Sequence, residues 1–402
     1  MIAHNSKFFL IFGLGFALSA CAPAGDGGGD AVVASTEENA SRAPAAQAGA
    51  PSGLGRYLAG RFALNTGDFP LASTFLAQAL EADAENVALL GQAMLADIGA
   101  GRVARATELA QRLLDADGDS PIARLLLGAD ALKAGETVVA ERHFDALGAD
   151  GVMSILQPLA IGWARAGAGA GEAALAALKP LEERRGAGGL ATVQAGLMQA
   201  VAGDDAGAAA RFAPLFDGDD ERPPLRFAQV IAAFFDSRGD SAAVEAVKAA
   251  YLAGAPDSLA FDGVEIAAMH PVANAVDGLA EAVFALASVL GQEQAADLAT
   301  LYTQIALHLR PDHGAARMLL AGLHERGERP ESAGEIYASE PKGSPFYWTA
   351  QLRLAETLEA RERIDDAVAA LEALADIRPE RFDALSQMGD TLRSADRFED
   401  AA

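Results

Sequence analysis

Residues 121–154 read PIARLLLGADALKAGETVVAERHFDALGADGVMS, a block in which Gly128 stands eighth, Gly135 fifteenth, Ala140 twentieth, Phe144 twenty-fourth and Leu147 twenty-seventh. The same offsets recur on both sides of it, in blocks of 34 residues that run without a gap from 53 to 222. The fifteenth positions are Gly67, Gly101, Gly135, Gly169 and Gly203, and the twentieth are Ala72, Ala106, Ala140, Ala174 and Ala208. The eighth are Gly60, Met94, Gly128, Gly162 and Gly196. With 41 glycines in 402 residues, five in one column have a chance of roughly 10⁻⁵ for a given phase, so the period is real.

These columns describe a helical hairpin. A glycine at fifteen supplies the left-handed backbone that ends a first helix. A glycine at eight allows the next helix to come close, and the expected point of approach is the alanine at twenty. Large residues follow where the second helix packs: Leu76, Phe144, Leu178 and Phe212 at twenty-four, then Leu113, Leu147, Leu181 and Leu215 at twenty-seven. One hairpin cannot bury that face alone, so the hairpins must stack.

A 34-residue period with small, small and large residues at these offsets resembles the tetratricopeptide repeat (TPR) family. The resemblance implies an all-α, right-handed α-solenoid of stacked helix-turn-helix units, used for protein recognition. These blocks are divergent: Arg56, Leu90 and Arg124 stand where the family often has an aromatic. Beyond 222 the spacing slips, and 223–276 reads as an irregular helical joint containing Pro223, Pro224, Pro256, Gly263 and Pro271. Repeats resume over 277–402 with Ala299, Ala306, Leu307 and Pro311, then Ala333 and Tyr337, then Ala367, Leu371, Leu374 and Pro379. The chain stops at Ala401-Ala402 as a second helix opens, so the last repeat reads as incomplete and the sequence as a piece of a longer solenoid.

Carried over position by position, the family's concave face falls on Tyr57, Arg61 and Leu64, then Leu95 and Ile98, Leu125 and Leu132, Leu159 and Trp163, and Leu197. This apolar stripe is the expected partner groove, unless a tight superhelix or the joint covers it. In the last repeats the same positions hold Glu356, Glu359, Asp383 and Asp390, and the face turns acidic.

The amino terminus has its own pattern. Lys7 precedes an apolar run from Phe8 to Ala17, too short to span a bilayer as a permanent helix. Leu18-Ser19-Ala20-Cys21 then resembles the bacterial lipobox. That resemblance implies cleavage after residue 20 and acylation of Cys21, and Ala22 after it points to the outer membrane. Residues 22–52, rich in Gly, Ala, Ser and Pro, read as a flexible tether.

Composition excludes several classes. A formal charge of -25 repels nucleic-acid backbones, and a single cysteine excludes an internal disulfide. Hydrophobic residues reach 51% with only 6% aromatic, which suits thin, closely packed helices. His308, His313 and His324 read as exposed turn histidines with no convergence on a metal. Asp115, Asp117 and Asp119 start like a calcium loop, but Ser120 and Leu126 break the pattern. No catalytic motif and no cofactor is expected. The chain reads as a membrane-tethered scaffold that binds protein or peptide partners in the bacterial envelope, or else as a structural subunit of a permanent envelope oligomer.

Overall fold

The computed structural model describes residues 53–216, 224–253, 261, 266–293 and 295–401. The leader, Cys21 and the tether lie outside the described residues, as does the acidic run Asp217 to Glu221.

The described chain is all-α, built from stacked helix-turn-helix units. Five hairpins open the array: α1 and α2 (Gly53–Asn65, Phe69–Leu80), α3 and α4 (Val87–Gly99, Val103–Asp115), α5 and α6 (Pro121–Lys133, Thr137–Asp145), α7 with the split pair α8 and α9 (Met153–Gly167, Gly171–Ala177, Lys179–Glu182), and α10 and α11 (Gly188–Val201, Asp205–Phe212). A sixth, α12 and α13 (Leu225–Asp236, Ser241–Ala253), is followed by a 3₁₀ turn at Ile266–Met269. Then come α14 and α15 (Ala275–Gln292, Ala296–Leu309), α16 and α17 (Gly314–Arg326, Pro330–Ala338), α18 and α19 (Tyr347–Ala360, Ile364–Ile377) and α20 (Asp383–Ser394).

Local rules place the boundaries. The second helices begin at Phe69, Val103, Thr137, Gly171 and Asp205, and later at Ala296, Pro330 and Ile364, a constant step of 34 within each run. Asn86 and Ser120 cap α3 and α5 by accepting from Leu89 N and Ala123 N. The first helices end where Gly67, Gly101, Gly135, Gly169 and Gly203 take φ between 70 and 82°. In the later run the same turn falls on Glu328, Glu362 and Asp396, at φ 56, 59 and 59°. A non-glycine residue there costs roughly 1–2 kcal/mol. Glu328→Gly should therefore stabilise the chain by about 1 kcal/mol in urea unfolding, after the entropy of the added glycine is subtracted. A loss of stability would show that Glu328 makes an interaction worth more than its strain.

The glycine at eight has a partner other than the one expected. A Cβ at Gly128 would lie 2.3 Å from the Phe144 ring, and one at Gly196 2.4 Å from Phe212. At Gly60 and Gly162 the obstacles are Leu76 at 2.7 Å and Leu178 at 2.6 Å. The eighth position thus makes room first for the large side chain at twenty-four, and at Gly162 the carbonyl of the alanine at twenty, Ala174, also comes within 3.3 Å. In the second block the sizes are reversed, with Met94 at eight and Ala110 at twenty-four, both buried. Such a volume-conserving exchange keeps the core filled.

Candidate binding surface

The first helices of the opening repeats do not present an open groove. α14 packs against α5, α7 and α10, and α15 packs against α3, α4 and α5. The chain returns after α13 and lays its seventh hairpin along the face expected to receive a partner. Ile98, Leu125, Leu132, Leu159, Trp163 and Leu197 are all buried, Trp163 completely. Leu95 and Leu64 are half-buried and pack on the same core. The expected groove is corrected accordingly: over these residues it is filled from within the chain, because an apolar stripe of this length is costly to leave in water.

Shape matching is closest at Gly278. Its position in α14 leaves room for the Trp163 indole, since a Cβ there would sit 2.2 Å from Cη2. The indole Nε1 donates to Gln194 Oε1 at 2.7 Å, which satisfies its one polar atom inside the core. α14 is 18 residues long with mean hydropathy 1.3, enough by length and composition to cross a membrane, yet 61% of it is buried inside the fold. Its apolar character is accounted for by contacts on several sides.

Polar contacts fasten the rim. Lys133 Nζ donates to the His308 carbonyl at 2.8 Å, and the His308 ring pairs with Asp130. Arg329, before α17, donates to the Gly67 carbonyl in the first turn of the array. Gln304 on α15 reaches the Gly99 carbonyl at 3.5 Å.

Beneath the hairpin lies a buried charge cluster. Glu281 on α14 is only 4% exposed and accepts from Arg226 through Nε at 3.0 Å and through Nη2. Arg310 Nη1 stands 3.6 Å away and His313 Nε2 3.3 Å away. Burial alone would raise the Glu281 pKa, but Arg226 and His313 outweigh it and hold the carboxyl well below the usual range. A second such tie joins the first two repeats, where buried Asp97 accepts from Ser73 Oγ and Arg105 Nε, each at 2.5 Å.

The histidines are not exposed turn residues. His313 is 2% exposed, caps α16 by accepting from Ala316 N at 3.2 Å, and burial pushes its pKa down. His324 is pushed down to about 4 by burial and then by Arg329. Among the described residues no three His, Cys, Asp or Glu side chains converge as metal ligands would.

Accessible apolar side chains remain at the ends of the array. On α1, Leu54, Leu58 and Phe62 are exposed, Phe62 by 71%, beside half-buried Tyr57 and exposed Arg61. Near α20, Phe382, Leu385 and Phe398 are exposed. The acidic face expected in the last repeats is partly tied up, since Arg353 bridges Glu325 and Glu356, and Glu359 accepts from Thr391 and Ser394.

No family model and no curated protein matches this chain. Among solved structures it is similar to the P58(IPK) TPR domain, at 16% identity and TM-score 0.27, covering 87% of this chain and 98% of that one. It is also similar to the Cut9-Hcn1 hetero-tetramer of APC/C, at 12% identity and TM-score 0.29, covering 86% and 76%. Yeast Tom70 gives 14% identity and TM-score 0.29, covering 86% and 89%. The class of the chain, an all-α array of stacked helix-turn-helix units, rests on its own helices and their spacing.

Proposed function

We propose that the chain is a TPR-like scaffold of the bacterial cell envelope, tethered through an acylated Cys21 and acting by binding a protein partner, not by catalysis. The observation that carries this reading is the apolar side chains left exposed on α1, in an array whose long concave stripe is already filled. Leu54, Leu58 and Phe62 recur at helical spacing and lie on the first helix after the tether. Aromatic and leucine anchors of this kind dominate binding when a partner removes them from water. A permanent oligomer would use the same patch, which keeps the structural-subunit reading as the alternative.

Affinity capture from detergent-solubilised membranes tests the reading, with wild type and Phe62→Glu compared at equal helicity. A partner lost from the Phe62→Glu sample supports the scaffold role; an unchanged set of captured proteins rules out α1 as the contact. A concentration-independent larger species, broken into monomers by Phe62→Glu, would favour the permanent oligomer. Cys21→Ser should shift the protein from membranes to the soluble fraction, because the leader alone is too short to anchor it. Sedimentation with membranes after a high-salt wash would refute the tether.

A further inference from the structure

The fourth and fifth repeats meet through their first helices. Trp163 on α7 donates to Gln194 on α10 at 2.7 Å. Met198, one turn further along α10, reaches α7 as well, since a Cβ at Gly162 would lie 2.7 Å from its Cε. Gln194 and Met198 are both buried, and they mark the face that a first helix turns to the repeat before it.

Counted back in steps of 34 residues, Gln194 corresponds to Leu58 and Met198 to Phe62. No described helix precedes α1, and there the same face is open: Leu58 and Phe62 are exposed, as is Leu54 one turn before them. The register fixes the shape that suits this face. Between α7 and α10 it receives a helix laid alongside, at the spacing of stacked repeats.

Charge narrows the choice of occupant. Residues 53–80 contain Arg56, Arg61 and Asp68 and no other Asp, Glu, Lys or Arg, so this hairpin is net positive in a chain of net charge -25. Asp68 is engaged in capping α2, where it accepts from Leu71 N at 3.1 Å. Arg61 is exposed beside Phe62, its guanidinium 5.7 Å from the Tyr57 ring, and neither arginine forms an ion pair among the described residues. A helix with Asp or Glu beside an apolar stripe would cover the leucines and Phe62 and supply the counter-charge, whereas one with Lys or Arg there would be repelled. A second copy laid α1 against α1 would set like charges together. We propose that, within the scaffold role stated above, α1 docks an amphipathic helix of a partner protein, apolar on one side and acidic at its margins, in the place that a preceding repeat takes elsewhere in the array.

Fluorescence anisotropy with the full chain tests this, using two synthetic amphipathic helices of about 20 residues that share a leucine stripe and differ only in carrying glutamate or lysine beside it. The glutamate helix should bind about tenfold more tightly than the lysine helix at low salt, and the difference should shrink as salt is added. Arg61→Glu, at an exposed position, should reverse the preference. Phe62→Glu should weaken the glutamate helix by about tenfold with helicity unchanged. Equal binding of the two helices, or a preference that Arg61→Glu leaves in place, overturns the proposal while the scaffold reading stands. Self-association in light scattering that disappears with Phe62→Glu gives the face to a second copy, and Arg61-dependent binding to anionic vesicles gives it to a membrane; either also overturns it. The scaffold reading turns on a different result, whether capture from membranes depends on Phe62.

Discussion

Gly278→Val should destabilise the chain by about 3 kcal/mol or more, because the first added carbon falls 2.2 Å from the Trp163 ring and both residues lie in a filled core. The indole has no direction in which to yield, since its nitrogen is held by Gln194 and its faces are covered. The loss should be local as well as global. Amide exchange should rise along α14 and α15 while α2 and α4 keep their protection, because only the returning hairpin depends on that contact. Gly343→Ala, placed in open space, is the control and should fall within about 0.5 kcal/mol of wild type. Equal denaturation midpoints for the two variants would mean that α14 does not rest on Trp163.

Glu281→Ala should cost about 3–5 kcal/mol, since it strips the shared carboxylate from Arg226, Arg310 and His313 and leaves buried charge uncompensated. The same cluster sets a pH dependence. His313 is held neutral by burial, so stability begins to fall as the pH drops below about 6.5, where the unfolded imidazole takes up a proton that the folded one refuses. Glu281 acts lower down. Its folded pKa is depressed, so its contribution is complete above the unfolded value of about 4.3 and is lost as the pH falls toward the folded one. Urea midpoints measured from pH 7 to pH 3 should therefore decline throughout for wild type. Glu281→Gln should start lower and lose the steepening below about pH 4.3. A parallel decline in both proteins would show that Glu281 is not the group responsible.

The repeat was legible because each of its features is set by a local rule. A left-handed turn selects glycine at Gly67 and its successors, and a large residue at Phe144 or Phe212 demands a gap in the helix beside it. In the later run the signal faded, because Glu328 and Glu362 hold the same conformation without glycine. The fate of the concave stripe was not legible. Leu125, Leu159 and Trp163 are apolar whether they await a partner or lie under the chain's own α14, and periodicity cannot tell the two apart. Gly278 was the available clue, a gap in a mostly apolar helix, but its meaning depends on a ring far away in sequence. His313 was misread for a similar reason, because its burial follows from Glu281 on another hairpin and not from its neighbours in the turn.

The central claim is that the chain's own seventh hairpin occupies the inner face of its opening repeats, and a cross-link tests it most directly. A Cβ at Gly167, at the end of α7, would lie 3.0 Å from that of Ala275 at the start of α14. Disulfides span about 3.8 Å between those atoms, so a small adjustment admits one. In a Cys21→Ser background, where no other thiol remains, the pair Gly167→Cys and Ala275→Cys should oxidise almost completely under mild conditions. The product should migrate faster than the reduced chain on a non-reducing gel. The pair Gly167→Cys and Gly343→Cys should stay reduced. A folded, fully helical protein in which the first pair also stays reduced would contradict the account and return the stripe around Trp163 to the surface.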